Sequence, residues 1–439
     1  MKPINRVICT IQFLNYFCLV ALSQQTISWS LAGNGAWNNP NNWSCTCIPG
    51  AMDTALIQHD TVSIPAAFTA AAANLIIGPG PNAGLDIMVG ASLTIANTDQ
   101  KALLVQGELS LLQNSGTLSL RQLDNTGLEV RDSGKVINLA TGYIRIGPSV
   151  DGECIFMETN GLIDNQGRIL IDSSAGPGII MYDAAFHNKG PLYIFPTTDQ
   201  AVETEGTFIN DDSLVIDFSR PEAFSSDGFS NIGTLTNNAN GVIYIDTASN
   251  ALRNFQTLVN HGQIHLLRST QVGLLNQVGT NTITNNRLIT IIGTGSSAIQ
   301  NNSSAIFTNN DSIIVSHSTS YGFRAEFSEL INNGLIHIST TGNDGMSLMN
   351  VNYHGDGDLV INSTDKDGIE LIDTDVSLMT GGTIDISNTT ERGIFIDYQS
   401  TFLTAQGSNL NISNTVGDPF TMDTDEGFFE CNGELDIQN

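Results

Sequence analysis

The stretch Asn332-Asn333-Gly334-Leu335-Ile336-His337-Ile338 decides the fold, because near copies of it return along most of the chain. Its centre is an aliphatic residue with a second one two places later. The first of the pair, the anchor, recurs as Leu93, Leu118, Ile144, Ile169, Leu192, Leu214, Ile243, Ile264, Ile289, Ile313, Ile336, Leu359, Ile384, Leu410 and Leu435, at intervals of 21 to 29 residues. The second is usually isoleucine, as at Ile95, Ile171, Ile216, Ile338, Ile386 and Ile437. Such short apolar/polar alternation marks a strand with one buried face. A sustained period near 24 residues makes each copy one turn of a stacked array.

Counting from the anchor places two further strands in each turn. One lies ten residues on, at Leu103, Leu128, Cys154, Ile179, Val202, Phe224, Leu274 and onward to Phe420, with Arg253 out of pattern. The other lies six residues before the next anchor, at Leu112, Ile163, Phe186, Phe208, Leu258 and onward through Leu378 to Phe429, with Asn138, Asn237 and Thr404 out of pattern. The expected fold is all-β: a right-handed, three-sided parallel β-helix of about 15 coils, about 24 residues each, on the order of 70 Å long.

The corners repeat too. Glycine stands two residues before the anchor in ten coils, among them Gly167, Gly262, Gly334 and Gly382, and the reading assigns these a positive φ. Asparagine stands four before it at Asn114, Asn165, Asn188, Asn210, Asn260, Asn285, Asn309 and Asn332. Side chains at one phase of successive coils stack about 4.8 Å apart, so their amides form an internal ladder.

The coil length, the three strands and the asparagine ladder resemble the right-handed parallel β-helix of pectate lyases and many secreted bacterial proteins. The resemblance covers about residues 53 to 439. Trp37-Asn38-Asn39-Pro40-Asn41-Asn42-Trp43-Ser44, with Pro49 and Asp53, resembles an N-terminal segment of large Bacteroidetes-like surface proteins.

Residues 1–23 read as a secretory signal peptide, with Lys2 and Arg6 before an apolar run and Ala21-x-Ser23 as the cleavage site. Residues 24–90 read as an N-terminal cap, holding Trp29, Trp37 and Trp43, followed by first irregular coils. Residues 91–439 are the β-helix, whose last coil is unfinished, so a C-terminally truncated chain is expected. Without the leader, 14 basic residues face 44 acidic ones, about −30. That charge repels nucleic acid and anionic lipid. No membrane span remains, and the location expected is secreted or cell surface. Cys45 and Cys47 are two residues apart, where a mutual disulfide is expected to be strained.

For activity, the resemblance implies either a lyase, with calcium-bound uronate and a basic residue, or a glycoside hydrolase with paired carboxylates. Asp217 and Asp246 each follow an anchor by three residues on adjacent coils, placing them about 5 Å apart, the separation of a retaining pair. Asp172 lies two coils off, about 10 Å from Asp217. With Arg220 these form the catalytic alternative. The residue after the anchor faces outward, and Arg145, Tyr193, Tyr244, His265 and His337 on that row form a candidate carbohydrate-binding face. Acidic pairs at Asp356/Asp358, Asp365/Asp367, Asp373/Asp375 and Asp423/Asp425 make calcium a candidate ligand, against solvated turns; no other cofactor or metal is expected. Because enzyme clefts are usually built from long loops and these coils are short, the reading favoured is a non-enzymatic structural or adhesin-like module binding extracellular polysaccharide or surface glycans. A polysaccharide lyase or hydrolase is the alternative.

Overall fold

The computed structural model describes residues 24–98, 100–148, 152–219, 227–277, 279–379, 381–423 and 427–438. The signal-peptide reading falls outside them, as do Arg220, Phe224 and Asp425. The chain forms an all-β parallel solenoid of about 16 turns and about 24 residues per turn. Its single short helix among the described residues is the 3-10 turn Pro40–Asn42. The anchor strands form a 16-stranded sheet, and the strands of the other two faces form one of 32. Those two faces join because the ten-residue strands Phe323–Asn332 and Met346–Gly355 run round the corner between them.

The anchors pair with one another in register, Leu93 beside Leu118, Leu118 beside Ile144, and finally Leu410 beside Leu435. Ala70 begins the stack beside Leu93, a place its single methyl hides from a hydropathy reading. Burying each such Leu or Ile contributes about 1.5–3 kcal/mol.

The other two stacks correct the sequence phases. On the second face Ile155, not Cys154, pairs with Leu128. Phe229 pairs with Val202 in the place expected for Phe224, and Leu252 fills the position read as Arg253. Cys154 belongs instead to a corner row of small residues with Ala102, Gly127 and Gly178, and burial pushes its thiol up to about 12. On the third face Val136, Leu235, Val376 and Phe402 are the core residues. The corner from this strand to the anchor is two residues longer in those turns. Counting back six therefore lands on Asn138, Asn237, Leu378 and Thr404, each two residues past the core position.

That offset explains the broken ladder. Asn138 and Asn237 are members of it, giving ten asparagines from Asn114 to Asn332, all fully buried. Each Nδ2 but the last donates to the Oδ1 of the next turn at 2.8 Å, as Asn138 to Asn165 and Asn260 to Asn285, and Asn332 donates to the Asp358 carbonyl at 3.1 Å. A second ladder of Asn231, Asn254, Asn276 and Asn301, with bonds of 2.7–2.8 Å, runs along the second face. Sequence reasoning missed it because the phase there had slipped at Arg253.

The corner glycines are needed for contact, not for a positive φ. A Cβ on Gly334 would stand 2.0 Å from the Asp311 carbonyl oxygen, and one on Gly262 would stand 2.1 Å from that of Gly241. Left-handed residues stand instead after the anchor strand, at Thr247, Arg268, Gly293, His317, Thr340, Ser363, Asn388 and Asn414, and between the second and third faces, as at Ser133, Asn160, Asp183 and Ser304; before the anchor they include Gly381 and Gly407.

Trp29, Trp37 and Trp43 are buried at the first turn in edge-on contact, with ring centroids 5.1 and 4.9 Å apart. Trp43 Nε1 donates to the Trp37 carbonyl at 2.8 Å. Cys45 and Cys47 form a disulfide, their Cα atoms 5.1 Å apart. Thr46 between them, at φ +54°, folds the backbone so that the two side chains meet. Among the described residues no helix is long and apolar enough to cross a membrane.

Candidate binding face

The strands of the 16-stranded sheet present every second side chain outward. The row following the anchors runs Ser119, Arg145, Leu170, Tyr193, Val215, Tyr244, His265, Thr290, Ile314, His337 and Val360, each in register with the next. All five residues singled out from the sequence share this row. They are not one cluster. Tyr244 and His265 are neighbours, Arg145 and Tyr193 are separated by Leu170, and His337 lies three strands beyond His265.

The best-formed constellation centres on Arg168, on the parallel outward row that precedes the anchors. Its guanidinium carbon lies 5.5 Å from the Tyr143 ring centroid and 5.0 Å from that of Tyr193, so the cation sits between two aromatic faces. Such contacts contribute about 0.5–1 kcal/mol each at exposed sites. Beside them Arg145 forms an ion pair with Asp172, which raises the arginine's pKa. Tyr143 and Arg168 were missed because the outward reading was confined to the residue after each anchor. An aromatic or basic residue at the position before it, in successive turns, was the available signal.

The carboxylate pair lies farther along. Asp217 and Asp246 stand opposite one another on adjacent strands. Asp246 is only 3% exposed. It accepts hydrogen bonds from Arg268 Nε at 2.7 Å, Thr247 Oγ1 at 2.9 Å and Tyr244 Oη at 3.2 Å, with a further ion contact to Arg268 Nη2. Burial alone would raise its pKa; these bonds outweigh it and hold the carboxyl below its ordinary value. A general acid needs the opposite shift. Asp217 Oδ1 accepts the Ser219 N–H at 2.8 Å, a turn-forming bond. Asp172, two strands from Asp217, is the partner of Arg145. His265 is bonded to Gln263 at 3.2 Å, and burial lowers its pKa.

Among the described residues no group of three or more His, Cys, Asp or Glu side chains is placed to hold a metal ion. Asp367 is instead engaged by Arg392, with Nε at 2.9 Å and Nη2 at 2.7 Å.

No protein-family model and no curated protein matches this chain. Among solved structures it is similar to a surface adhesin of Streptococcus pneumoniae, at 12% identity and a TM-score of 0.20, over 86% of each chain. It is also similar to an endo-xylogalacturonan hydrolase from Aspergillus tubingensis, at 11% identity and a TM-score of 0.13, over 84% of this chain and 87% of that one. Superpositions this distant give no ground for choosing between adhesion and hydrolysis.

Proposed function

We propose that the chain is a non-enzymatic, extracellular or cell-surface adhesin-like solenoid that binds carbohydrate along the outward face of its 16-stranded sheet. The observation that carries this reading is the Tyr143–Arg168–Tyr193 cluster, two aromatic rings flanking one guanidinium on a sheet whose strands repeat about every 4.8 Å. Aromatic faces stack on the apolar faces of sugar rings, and the neighbouring guanidinium donates to hydroxyl or carboxylate oxygens. Repetition along the axis lets several weak contacts act together on a long glycan. The leader-like Met1–Ser23 and the tryptophan-rich segment Trp37–Ser44 support a secreted bacterial surface protein.

The rival reading, a polysaccharide lyase or hydrolase, draws on Asp172, Asp217 and Asp246, two of which are engaged by arginine. The test is co-sedimentation with acidic and neutral polysaccharides, with and without calcium, while new chain ends are measured. The expected result is binding without new ends, lost in the Tyr143→Ala, Tyr193→Ala double variant. New ends abolished by Asp217→Asn would overturn it.

A further inference from the structure

A second constellation occupies a different face. On the strands Ile155–Glu158, Ile179–Tyr182 and Val202–Thr204, Phe156, Ile180 and Glu203 form one outward row; Glu158 and Tyr182 continue the next, which comes from Gln106 and Arg131. Phe156 and Tyr182 meet edge to face with centroids 5.9 Å apart. Glu205 directly follows the third strand, its backbone N–H bonded to the Met181 carbonyl at 2.8 Å, which seats it beside Tyr182. Where these strands turn the corner, a groove of about 500 Å³ opens along the axis, with Lys135 in its wall at one end and Gly161, Asp183, Ala184, Glu205 and Gly206 beyond it.

Of the carboxylates here, Glu158 lies 3.9 Å from Arg131 Nη1, while Glu203 and Glu205 have no such cation among the described residues. Neither Glu203 nor Glu205 has a side-chain hydrogen-bond or ion-pair partner among the described residues. Arg253, whose charge reaches Glu203, is committed to Asp227 at 2.6 Å. Burial raises the pKa of Glu203, and its neighbours Glu205 and Asp199 raise it further. Tyr182 is raised by burial and by Glu203, Glu205 and Glu153. Elsewhere the chain pairs such acids with arginine, as at Asp246 and Asp367.

We propose that Phe156, Ile180, Tyr182, Glu203 and Glu205, with the adjoining groove, form a docking surface for a lysine- or arginine-rich peptide segment of a partner protein. Charge complementarity selects a cation, and the apolar strip leading to the carboxylates selects one carried on a flexible methylene stem. Lysine and arginine lay such stems along apolar surface while the charged head reaches a polar rim. The rings add cation–π attraction. An amine set directly on a sugar ring cannot cover the strip and reach the carboxylates together. This surface is independent of the carbohydrate face.

The experiment is fluorescence anisotropy of labelled octalysine against the full chain, repeated over a range of salt. Glu203→Gln with Glu205→Gln is expected to weaken binding about 10-fold, and Tyr182→Ala about 5-fold, with Tyr182→Phe close to the parent. Removing the same charge from a distant surface, with Asp356→Asn and Asp365→Asn, is expected to change binding less than about 2-fold. Equal losses from both pairs would mean diffuse attraction to an acidic protein and overturn the site. So would failure of octalysine to bind, or chitosan oligosaccharide showing the Glu203/Glu205 dependence in its place.

Discussion

Asn260 Nδ2 donates to Asn285 Oδ1 at 2.8 Å inside the core, while its own Oδ1 accepts from Asn237 Nδ2, also at 2.8 Å. On the outside Asn310 makes the same pair of bonds, donating to Asn286 at 2.8 Å and accepting from Asn333 at 2.9 Å. The two ladders differ in access to water. Asn260→Ala leaves desolvated amide groups short of partners and opens a void, and is expected to cost about 3 kcal/mol. Asn310→Ala lets water replace what is lost and is expected to cost under about 0.5 kcal/mol. Urea midpoints of the two variants check this, and equal shifts would sink it.

Gly334 is held by contact with the neighbouring turn, its missing Cβ 2.0 Å from the Asp311 carbonyl oxygen and 2.6 Å from that residue's nitrogen. Both obstacles are backbone, so relief requires the strands to part. Gly334→Ala is expected to cost about 3 kcal/mol, the upper range for overpacking. At Gly50 the nearest atom is 3.5 Å away, a side-chain oxygen of Asp53. Gly50→Ala should stay within about 0.5 kcal/mol of the parent. Thermal melts of the two proteins side by side would reveal whether close approach is what selects glycine.

The anchor sheet was legible because one aliphatic per turn must face inward and its spacing varies little. The other two stacks were less so. A change of one or two residues in corner length puts that turn's strand in the wrong phase until the next anchor restores it, as Cys154 for Ile155 and Asn138 for Val136 show. The row holding Arg145, Tyr193, Tyr244, His265 and His337 followed directly from the anchors. The Arg168 cluster did not, since it joins residues on two outward rows and three turns. Nor did burial of Asp344, which in sequence is one more acid in a polar turn.

Asp344 is 3% exposed and accepts the Asp367 N–H at 3.0 Å. That bond favours the carboxylate. Burial opposes it more strongly, Glu370 and Asp367 add repulsion, and Lys366 offsets little, so the carboxyl is pushed up to about 7. The folded state therefore holds a proton that the unfolded chain releases near pH 4. Stability falls as pH rises from about 4 to about 7, with no further loss from this group above that. Asp344→Asn keeps an acceptor for the Asp367 N–H and cannot ionise. The variant is expected to match the parent at pH 4 and exceed it by about 1–2 kcal/mol at pH 8. Urea unfolding at the two pH values decides it; an equal difference at both would rule out titration as the cause.

Asp246 carries the opposite sign. Its carboxyl is held below the ordinary value despite burial, chiefly by Arg268 and with help from Thr247 and Tyr244. The stability it contributes is present above about pH 4, the unfolded value, and is lost as pH falls through the lower folded one. Asp246→Asn leaves Arg268 without its carboxylate. The expected cost is about 1–2 kcal/mol at neutral pH, because Arg268 is 63% exposed and water screens part of the loss. Parent and variant should converge as pH falls through the lowered folded value. Arg268→Met should cost a similar amount, and the double variant little more than either single change. A catalytic Asp246 would give another pattern: a small effect on unfolding and complete loss of new polysaccharide ends. Denaturation from pH 7 down a series of acid values, with an end-group assay on the same samples, separates a structural ion pair from a reacting carboxylate.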